Sequence, residues 1–340
     1  MSDPNPRYLV VGLGSIGQRH LRNLRALRPA SKIAALRHGP ATGGGDHPEC
    51  DFQFYSLDEV RAFKPHAAII AGPASTHVDM AAALVDMGVP LLVEKPFAAS
   101  MDGLLPLIEA ARQRQLTLMV GYNLRFKQSL VEVRRQILSG EVGEILSVRA
   151  EVGQYLPDWR PGSDYRAAVS ARAALGGGAL LELSHEIDYL YWLFGMPDRV
   201  SCRGGRYSAL EIDVEDLVEL CLEYEAPRRL VSVHLDFLQR VPSRTCKFIG
   251  TEGTLVWDGI ADKVETLAVD SGKSRAALLA NVDRNEIYVE EIRHFLDCAE
   301  TGATPLIDAT QAYEVMSIVA AAKLSLHNGT VERPLKYAAR

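Results

Sequence analysis

The first 120 residues alternate short apolar runs with segments of helical periodicity. One segment places leucines at 21, 24 and 27, which predicts a helix over 20–27 with one buried face. A second helix is predicted over 77–87, and the glycine- and proline-rich stretch 37–51 is predicted to be a loop. The apolar runs are predicted strands: Tyr8–Val11, Lys32–Leu36, Ala67–Ala71, Val89–Val93 and Leu116–Val120. This alternation indicates βαβ units and a parallel sheet buried on both faces.

After Gly121 the apolar runs become longer and alternate with polar residues, as in strands with one solvated face. These predicted strands are Ile145–Val152, Leu217–Tyr224, Arg229–Phe237, Thr245–Gly250 and Thr254–Asp258. Short turns between neighbours favour antiparallel pairing. Helices are predicted over 182–194, 285–300 and 308–327, the last placed to pack back on the first domain. The predicted fold class is α/β, with a doubly wound parallel sheet in residues 1–122 and an α+β domain with a large, mostly antiparallel open sheet in 123–340.

Composition narrows the class of protein and its partners. A chain of 340 residues is long enough for two hydrophobic cores. A net charge of −6 and the lack of a basic run argue against nucleic acid as a partner. No apolar run reaches the roughly 18 residues that span a bilayer, and the N-terminus is too polar for a signal peptide. The five cysteines are scattered without metal-ligand spacing, so we expect reduced thiols, no metal site and a cytoplasmic protein.

The first candidate site is a glycine-rich segment that follows the first predicted strand. Residues 12–17 read G-L-G-S-I-G, and a helix follows them. In this pattern Gly12 makes the tight turn, Gly14 lets the backbone approach a pyrophosphate, and Gly17 allows the helix to pack closely on the strand. Ser15 and Ile16 of this turn are further candidate cofactor contacts, because the N–H groups and the dipole at the N-terminus of the following helix attract phosphate. We therefore predict that this segment binds a dinucleotide.

The end of the second predicted strand bears on the choice of dinucleotide. NAD-binding domains usually carry Asp or Glu there for the ribose 2′-hydroxyl, but this chain has Arg37. A guanidinium can hold a 2′-phosphate and stack on adenine, so Arg37 favours NADP. The alternative is a solvent-facing arginine without a role in binding, which leaves NAD open.

A lysine at the end of the strand Val89–Val93 is the candidate acid/base. The segment Glu94-Lys95-Pro96-Phe97 follows five apolar residues, at the edge of a parallel sheet where ligands bind. Oxidation of a secondary alcohol by hydride transfer needs a base for the hydroxyl proton, and the reverse reaction needs an acid. We predict that Lys95 has this role and contacts both substrate and cofactor, with Glu94 holding Lys95 or contacting the ribose. The alternative is a surface lysine at a strand end.

Several motifs, in order, resemble the Gfo/Idh/MocA family, the group of glucose–fructose oxidoreductase and inositol dehydrogenase. They are residues 12–17, Pro73 to His77, Glu94 to Phe97, residues 121–126, and Gly176–Gly178 leading to His185 and Asp188. The resemblance implies a Rossmann domain, then a domain whose open sheet carries oligomer contacts. It also implies that Pro73 and His77 lie at the cofactor and that substrates are sugars, cyclitols or their nucleotide conjugates. A looser similarity points to members associated with surface-sugar biosynthesis.

The second motif of this family is altered in the chain. The family places an acidic residue four positions before the histidine, whereas here Glu182 lies three before His185, and Ser184 replaces the usual glycine. Positions three apart still share a helix face, so Glu182 stays a candidate substrate ligand whose role the spacing leaves open. We expect His185 to bond the reacting hydroxyl or to share proton transfer with Lys95, and Asp188 to belong to the catalytic set. A structural histidine is the alternative.

Two further segments are candidate substrate contacts. Asn123 follows the strand 116–120 and is expected to contact the nicotinamide or a substrate hydroxyl, while Arg125 either faces the cleft or forms an ion pair between domains. The segment 155–166 mixes aromatic and charged side chains, which suits sugar rings. Its candidate ligands are Tyr165, Arg160 and Arg166. A lid or a subunit contact is the alternative for this segment.

Together these motifs predict an NAD(P)-dependent oxidoreductase. It would move a hydride between nicotinamide and a ring carbon of a sugar, cyclitol or nucleotide sugar, with Lys95 and His185 as acid and base. One alternative is redox-neutral elimination or glycosidic cleavage with tightly bound NAD(P), and another is a non-catalytic NAD(P) sensor. The family resemblance implies a homodimer or homotetramer formed through the C-terminal sheet.

Overall fold

The strands and helices of the computed structural model are described for residues 5–37, 47–268, 274–278 and 283–338. The strands within these residues are β1 (Arg7–Val11), β2 (Lys32–Leu36), β3 (Phe52–Phe54), β4 (Ala67–Ile70), β5 (Leu91–Glu94), β6 (Leu118–Gly121), β7 (Ile145–Gly153), β8 (Arg199–Gly205), β9 (Leu217–Glu225), β10 (Arg228–Asp236), β11 (Ser243–Gly250), β12 (Gly253–Asp258), β13 (Lys263–Ala268) and β14 (Ser274–Leu278). The α-helices are α1 (Ser15–Leu27), α2 (Leu57–Phe63), α3 (His77–Asp86), α4 (Leu104–Gln113), α5 (Gln128–Leu138), α6 (Ala179–Glu182), α7 (His185–Phe194), α8 (Glu286–Thr301) and α9 (Ala309–Asn328).

The chain divides into two compact units. The first unit comprises residues 1–123 together with 285–313, and the second comprises 124–284 together with 314–340. Residues 285–313 therefore return to the first unit after the chain has built the second, and they bring α8 with them. No helix in the described parts of the chain combines the length and apolar composition that crossing a membrane requires.

The first unit contains a parallel sheet whose described strands lie in the order β3-β2-β1-β4-β5-β6. Its interior positions are fully covered, because Leu9, Val10, Ile33 and Leu92 have no exposed surface. The predicted parallel sheet, buried on both faces, is thus confirmed. The strand order reverses between β1 and β4, and the carboxyl ends of strands at such a point open the crevice where ligands bind in doubly wound sheets.

In the first unit, one predicted helix start was wrong and one short strand was missed. Helix α1 begins at Ser15 rather than at residue 20, because Gly14 takes an extended conformation (φ −66°, ψ −177°) and serves as its N-cap. The short strand β3 was not predicted, since three residues are too few to carry a periodic pattern. It pairs in parallel with β2, with Ala34 opposite Phe52.

The second unit contains an open sheet whose described strands lie in the order β14-β13-β12-β11-β7-β10-β9-β8. Only β7 and β10 pair in parallel among them, so the predicted mostly antiparallel sheet is confirmed. Strand β9 shows the alternation that supported the prediction, with Val218, Leu220, Leu222 and Tyr224 buried between more exposed residues. Strands β8, β13 and β14 were not predicted.

The core of the second unit lies on one face of this sheet. Trp257 of β12 is fully buried, and its indole N–H donates to the Ser129 hydroxyl of α5 at 2.9 Å. The ring of Tyr189 in α7 meets the Trp257 ring edge-on, with centroids 5.5 Å apart. These contacts fix α5 and α7 on the sheet, and α7 carries two of the candidate site residues.

The single helix predicted over 182–194 was wrong, because the chain breaks there into α6 and α7. Leu183 leaves helical geometry at φ −102° and ψ 23°, and Ser184 becomes the N-cap of α7. Glu182 is therefore the last residue of α6, whereas His185 is the first residue of α7. Glu182 and His185 therefore do not share one helix face, contrary to the prediction.

Candidate active site

The glycine-rich segment lies where the sheet of the first unit reverses its strand order. Gly12 follows β1 with φ +86°, a conformation that favours glycine, and a Cβ there would lie 3.0 Å from the Ala71 carbonyl oxygen. A Cβ at Gly17 would lie 2.0 Å from the Gly12 carbonyl oxygen. Gly12 and Gly17 are thus required by close packing of the strand ends against α1.

The middle of the same segment is open. A Cβ at Gly14 would meet nothing within 4 Å among the described residues. Ser15, Ile16 and Gly17 form the first turn of α1, where backbone N–H groups have no acceptor within the helix. No acidic side chain occupies this turn. Space, free donors and a positive helix end therefore fit the pyrophosphate of a dinucleotide.

Arg37 directly follows β2 and is partly exposed. Its backbone N–H donates to the Phe54 carbonyl at 2.9 Å, and its guanidinium donates to the Gln53 side chain at 3.1 Å. The unpredicted strand β3 thus supports Arg37 from the side. This residue lies at the carboxyl end of β2, where the second strand of a dinucleotide-binding sheet contacts the adenosine ribose.

The end of β5 places Glu94 and Lys95 in the row of strand ends that carries the glycine segment. Glu94 is 6% exposed and accepts the backbone N–H of Lys95 at 3.1 Å. The imidazole Nε2 of His20 lies 2.5 Å from the other oxygen of Glu94. Glu94 is therefore held from both sides, and it positions the backbone of the candidate acid/base.

His77 is buried, and both of its ring nitrogens face backbone carbonyls. Nδ1 lies 3.0 Å from the Pro96 oxygen and Nε2 lies 3.0 Å from the Gly72 oxygen. Burial lowers the pKa of His77, while the two carbonyls oppose the change. The ring thus links the chain after β4 to the chain after Lys95. Pro73 lies in the same segment, and its carbonyl accepts the Thr76 hydroxyl at 2.8 Å, so this hydroxyl makes no capping bond to α3.

Asn123 is the last candidate residue of the first unit along the sequence. It is 4% exposed. Burial raises the pKa of Tyr288 in α8, and the Asn123 side chain opposes the rise. Within the first unit, the structure therefore brings together the strand ends that carry Gly12, Pro73, Lys95 and Asn123.

In the second unit, Arg125 and Asp188 form a buried ion pair. Arg125 Nη2 lies 2.7 Å from Asp188 Oδ1, Nε lies 3.1 Å from Oδ2, and both side chains have no exposed surface. Burial raises the pKa of Asp188, and Arg125 opposes the rise. Both residues belong to the second unit. Asp188 has the surroundings of a residue that positions α7.

His185 lies three residues before Asp188, at the start of α7, and is 9% exposed. The triple-glycine segment that precedes it is tightly packed. A Cβ at Gly177 would lie 2.3 Å from the Val169 carbonyl oxygen, and one at Gly178, where φ is +106°, would lie 2.5 Å from the Glu215 carboxylate. These glycines let α6 start close to the preceding loop, with Glu182 at its end.

The candidate substrate loop forms a shallow concavity in the second unit. Its lining combines two aromatic rings with a guanidinium and small side chains: Leu156, Pro157, Trp159, Arg160, Ser163, Tyr165, Ala168 and Ser170. Trp159 is fixed by its N–H bond to the Gln154 carbonyl at 3.0 Å. Arg166 is engaged by Asp164 and Glu211, so of the two arginines only Arg160 lines the concavity.

Three residues beside Glu94 were not predicted from the sequence. His20 has no exposed surface, Tyr288 packs its ring edge against the His20 ring, and Glu291 is fully buried in α8. The signal for Glu291 was present, since it falls on the apolar face that carries Tyr288, Ile292 and Phe295 at helical spacing. A charged residue on such a face is the unusual observation.

Comparisons with known proteins show the family and the fold of the chain. The oxidoreductase family with an NAD-binding Rossmann fold matches residues 6–122, and the GFO/IDH/MocA C-terminal domain matches residues 130–256. The chain is 24% identical over 334 residues to scyllo-inositol 2-dehydrogenase (NAD(+)) of Bacillus subtilis (strain 168), covering 95% of this chain and 94% of that protein. It is 24% identical over 266 residues to D-xylose 1-dehydrogenase (NADP(+)) 2 of Haloferax volcanii, covering 77% and 78%.

Solved structures show the same fold. Levoglucosan dehydrogenase in complex with NADH and levoglucosan has a TM-score of 0.85 at 19% identity, covering 98% of this chain and 100% of that one. UDP-N-acetylglucosamine 3-dehydrogenase of Acidithiobacillus ferrooxidans has a TM-score of 0.76 at 19% identity, covering 96% and 99%. Two successive family matches and the two folded units lead to one conclusion: the chain belongs to the Gfo/Idh/MocA family of nicotinamide-dependent oxidoreductases.

Proposed function

We propose that the protein is a dehydrogenase or reductase that acts on a ring carbon of a sugar, cyclitol or nucleotide sugar, with Lys95 and His185 transferring the proton. The observation that carries the proposal is the placement of Lys95. It follows β5 in the row of strand ends that also holds the open glycine segment, and Glu94 accepts its backbone N–H. A lysine at this edge is suited to exchange a proton with a hydroxyl group during hydride transfer.

The dinucleotide would be held by Gly12, Gly14 and the first turn of α1 at its pyrophosphate, and by Arg37 at its adenosine ribose. When bound, it would accept or supply the hydride. NADP is the preferred cofactor in this proposal, because a guanidinium after β2 suits a 2′-phosphate and no carboxylate occupies that position. Pro73 and Asn123 would contact the nicotinamide end. His77 would act by positioning the segments around Lys95, since its ring nitrogens face backbone carbonyls.

Lys95 and Asn123 are proposed substrate ligands of the first unit, and the second unit offers candidate ligands of its own. Aromatic rings are suited to the faces of sugar rings, and Trp159 and Tyr165 line one concavity with Arg160. A guanidinium there would favour a substrate with a carboxylate or phosphate. His185 and Glu182 complete the proposed set. Asp188 is assigned a positioning role, because its carboxylate is enclosed by Arg125.

We propose further that the protein is a homodimer or homotetramer that associates through the open sheet of the second unit. Leu146, Leu230 and Leu267 lie on strands of this sheet and are about half exposed, at 46%, 52% and 50%. All five cysteines are free thiols, which supports a reducing compartment such as the cytoplasm.

The experiment is a substrate screen followed by substitution of Lys95. The wild-type protein is assayed by nicotinamide absorbance with scyllo-inositol, D-xylose, levoglucosan and UDP-N-acetylglucosamine, and Lys95→Ala is then compared on the best substrate. We expect kcat to fall by about 10²–10⁴-fold, because one proton-transfer group is lost, while the dinucleotide Kd stays within about threefold. Lys32→Ala, an exposed lysine of the same unit, is the matched control. Full turnover by Lys95→Ala would contradict the mechanism, and turnover without net change of cofactor would replace it with redox-neutral chemistry.

A further inference from the structure

Three ionisable side chains meet in the interior of the first unit, directly behind Lys95. His20 comes from α1, Glu94 from the end of β5, and Glu291 from α8. Their exposed fractions are 0%, 6% and 0%, and their nitrogen and oxygen ligand atoms all lie within 4.8 Å of one another. We refer to these three residues as the buried cluster. Two carboxyl groups this close, without access to water, cannot both ionise unless something compensates the second charge.

Glu94 is compensated. One of its oxygens lies 2.5 Å from His20 Nε2, and the other accepts the backbone N–H of Lys95 at 3.1 Å. Burial would raise the pKa of Glu94, but the bond from His20 and the charges of His20 and Lys95 outweigh it, so the pKa is lowered. Glu94 is therefore the carboxylate of the buried cluster.

Glu291 is not compensated. Neither of its carboxyl oxygens has a hydrogen-bond partner among the described residues, and both are buried. Burial raises the pKa of Glu291 well above its usual value, and the negative charge of Glu94 raises it further. An ionised carboxylate without a partner in such a place is far costlier than a neutral acid, which keeps its proton.

Among the residues that the structure describes, the remaining groups around the buried cluster supply no second positive charge to Glu291. The guanidinium carbon of Arg19 lies 4.5 Å from the ring centre of Tyr288, so this cation stacks on an aromatic face. Tyr288, one helical turn before Glu291, is a phenol whose pKa burial raises, so it supplies no positive charge. Lys95 lies on the Glu94 side of the cluster, where its charge acts on Glu94.

We propose that Glu291 is a permanently protonated carboxylic acid at neutral pH, and that it acts as a positioning residue for Lys95 through Glu94. As a neutral acid it leaves Glu94 as the single negative charge of the buried cluster. The Glu94 carboxylate then accepts the backbone N–H of Lys95 and carries the one negative charge next to this lysine. Loss of the Glu291 proton would place a second negative charge beside Glu94 in the buried cluster. The link to proton transfer rests on the proposed function, whereas the protonation of Glu291 does not.

A bound cation is the other way to place two carboxylates and an imidazole together. The observed geometry disfavours it. Two ligand atoms on one transition-metal ion, each bound at about 2.0–2.2 Å, stand roughly 3 Å or more apart. The 2.5 Å separation of His20 Nε2 and Glu94 Oε1 is that of a direct hydrogen bond instead. A metal is therefore an outcome that the experiments below must exclude.

The first experiment measures unfolding midpoints of the wild type and Glu291→Gln between pH 5 and pH 9. The pKa of Glu291 in the folded protein is raised above the unfolded value of about 4.3. The free energy of unfolding of the wild type therefore falls as the pH rises towards the folded pKa, because only the folded protein still holds this proton. Glutamine has no proton to keep. We expect the variant to gain relative to the wild type, with the ratio of their unfolding constants changing by up to about tenfold per pH unit.

The matched control is Glu290→Gln, the preceding glutamate on α8, which is 39% exposed and pairs with Arg293. The difference in unfolding midpoint between Glu290→Gln and the wild type should stay constant from pH 5 to pH 9. A Glu291→Gln difference that is constant with pH, or that turns against the variant as the pH rises, would overturn the proposal, since either result means an ionised, partnered Glu291.

A second measurement needs no stable variant. The infrared spectrum of the wild type at pH 7 should contain the C=O band of a neutral carboxylic acid that shifts in heavy water. Glu291→Gln should lack this band, and Glu290→Gln should retain it. Absence of the band from the wild type, or one equivalent of metal in the purified protein that Glu291→Gln fails to bind, would show that Glu291 is ionised.

Both measurements are made on the protein without substrate. If Lys95→Ala keeps full turnover while the infrared band and the pH-dependent stability gap are present, the proposed function fails and the protonated Glu291 stands. If Lys95→Ala is inactive and the band is absent, the reverse holds.

Discussion

At the scale of single residues, Arg37 occupies the position that usually decides between the two nicotinamide dinucleotides. Gln53 holds one side of its guanidinium at 3.1 Å, which restricts the side chain while leaving other N–H groups to contact a ligand. A planar cation that is already oriented loses less conformational freedom when it binds a phosphate. Arg37 is therefore expected to contribute more to NADPH binding than a mobile surface arginine would.

We predict that Arg37→Asp reverses the cofactor preference. The wild type should bind NADPH more tightly than NADH in a titration of nicotinamide fluorescence. The variant should lose at least about tenfold in NADPH affinity and gain in NADH affinity, because aspartate repels the 2′-phosphate and accepts the 2′-hydroxyl. Arg61→Asp changes the same charge on the exposed face of α2 and serves as the control. Equal effects of the two substitutions would mean that Arg37 has only a general electrostatic influence.

Single residues also mark the limit of what the sequence reveals. Gly12, Lys95 and Arg37 were identified because each directly follows an apolar strand, and such strands can be predicted from the local sequence pattern. His20 and Glu291 are separated by 271 positions along the chain, and only the return of residues 285–313 brings them together. Contacts of that kind depend on topology, which local periodicity does not contain.

At the scale of elements, α7 is held at its first turn by the buried pair of Arg125 and Asp188. Both side chains lack exposed surface, so each charge depends on the other. The ring of Trp192, on the same helix, lies 5.7 Å from the guanidinium carbon of Arg125. Because His185 begins α7, the orientation of this turn determines where the imidazole points.

We predict that Asp188→Asn destabilises the protein by about 3–5 kcal/mol, because it leaves the Arg125 cation buried without its counter-charge. Urea denaturation measures the change. Glu132→Gln, which breaks the exposed pair with Arg135 on α5, should cost less than about 1 kcal/mol. The double variant Arg125→Met with Asp188→Leu should recover much of the loss, since two apolar side chains replace two charges. A small effect of Asp188→Asn would show that water reaches Arg125.

Elements were predicted with unequal success for a physical reason. The strands β1, β2 and β4 are continuous apolar runs because helices cover both faces of their sheet, and such runs are conspicuous. The helix predicted over 182–194 was wrong because Leu183 is as apolar as its neighbours, so the pattern continues across a break that only the backbone records. Strand β8 contains Gly204 and Gly205 and two arginines, and its pairing with β9 rather than its composition makes it a strand.

At the scale of the whole molecule, stability should depend on pH through His234 of β10. Its Nε2 lies 2.8 Å from Asp236 and its Nδ1 lies 2.5 Å from Glu219 of β9. The bond to Asp236 raises the pKa of His234 to about 9, and Glu219 adds to the rise against partial burial. A raised pKa means that the folded protein holds this proton more tightly than the unfolded chain.

We predict that this contribution is fully present below about pH 6.5 and is lost as the pH rises through about 9. The unfolding midpoint of the wild type should therefore fall more steeply between pH 7 and pH 10 than that of His234→Gln. The side chain of His234 is 28% exposed, so solvent screening keeps the effect modest. The exposed His327 at the end of α9 offers the control His327→Gln, whose curve should parallel the wild type. If the curve of His234→Gln also parallels the wild type, His234 does not contribute to the pH dependence of stability.

The return of residues 285–313 to the first unit also affects the outer strand of its sheet. The backbone N–H of Val120 in β6 donates to the Ile307 carbonyl at 3.2 Å, and Met119 forms an antiparallel bridge with Asp308. An uncovered edge strand presents unpaired backbone groups that recruit strands from other molecules. A fragment ending at Asn123 would keep every glycine of the dinucleotide site, but it would expose the edge of β6 to solvent. We expect such a fragment to self-associate through β6, because it lacks residues 307 and 308, which pair with this strand in the full chain.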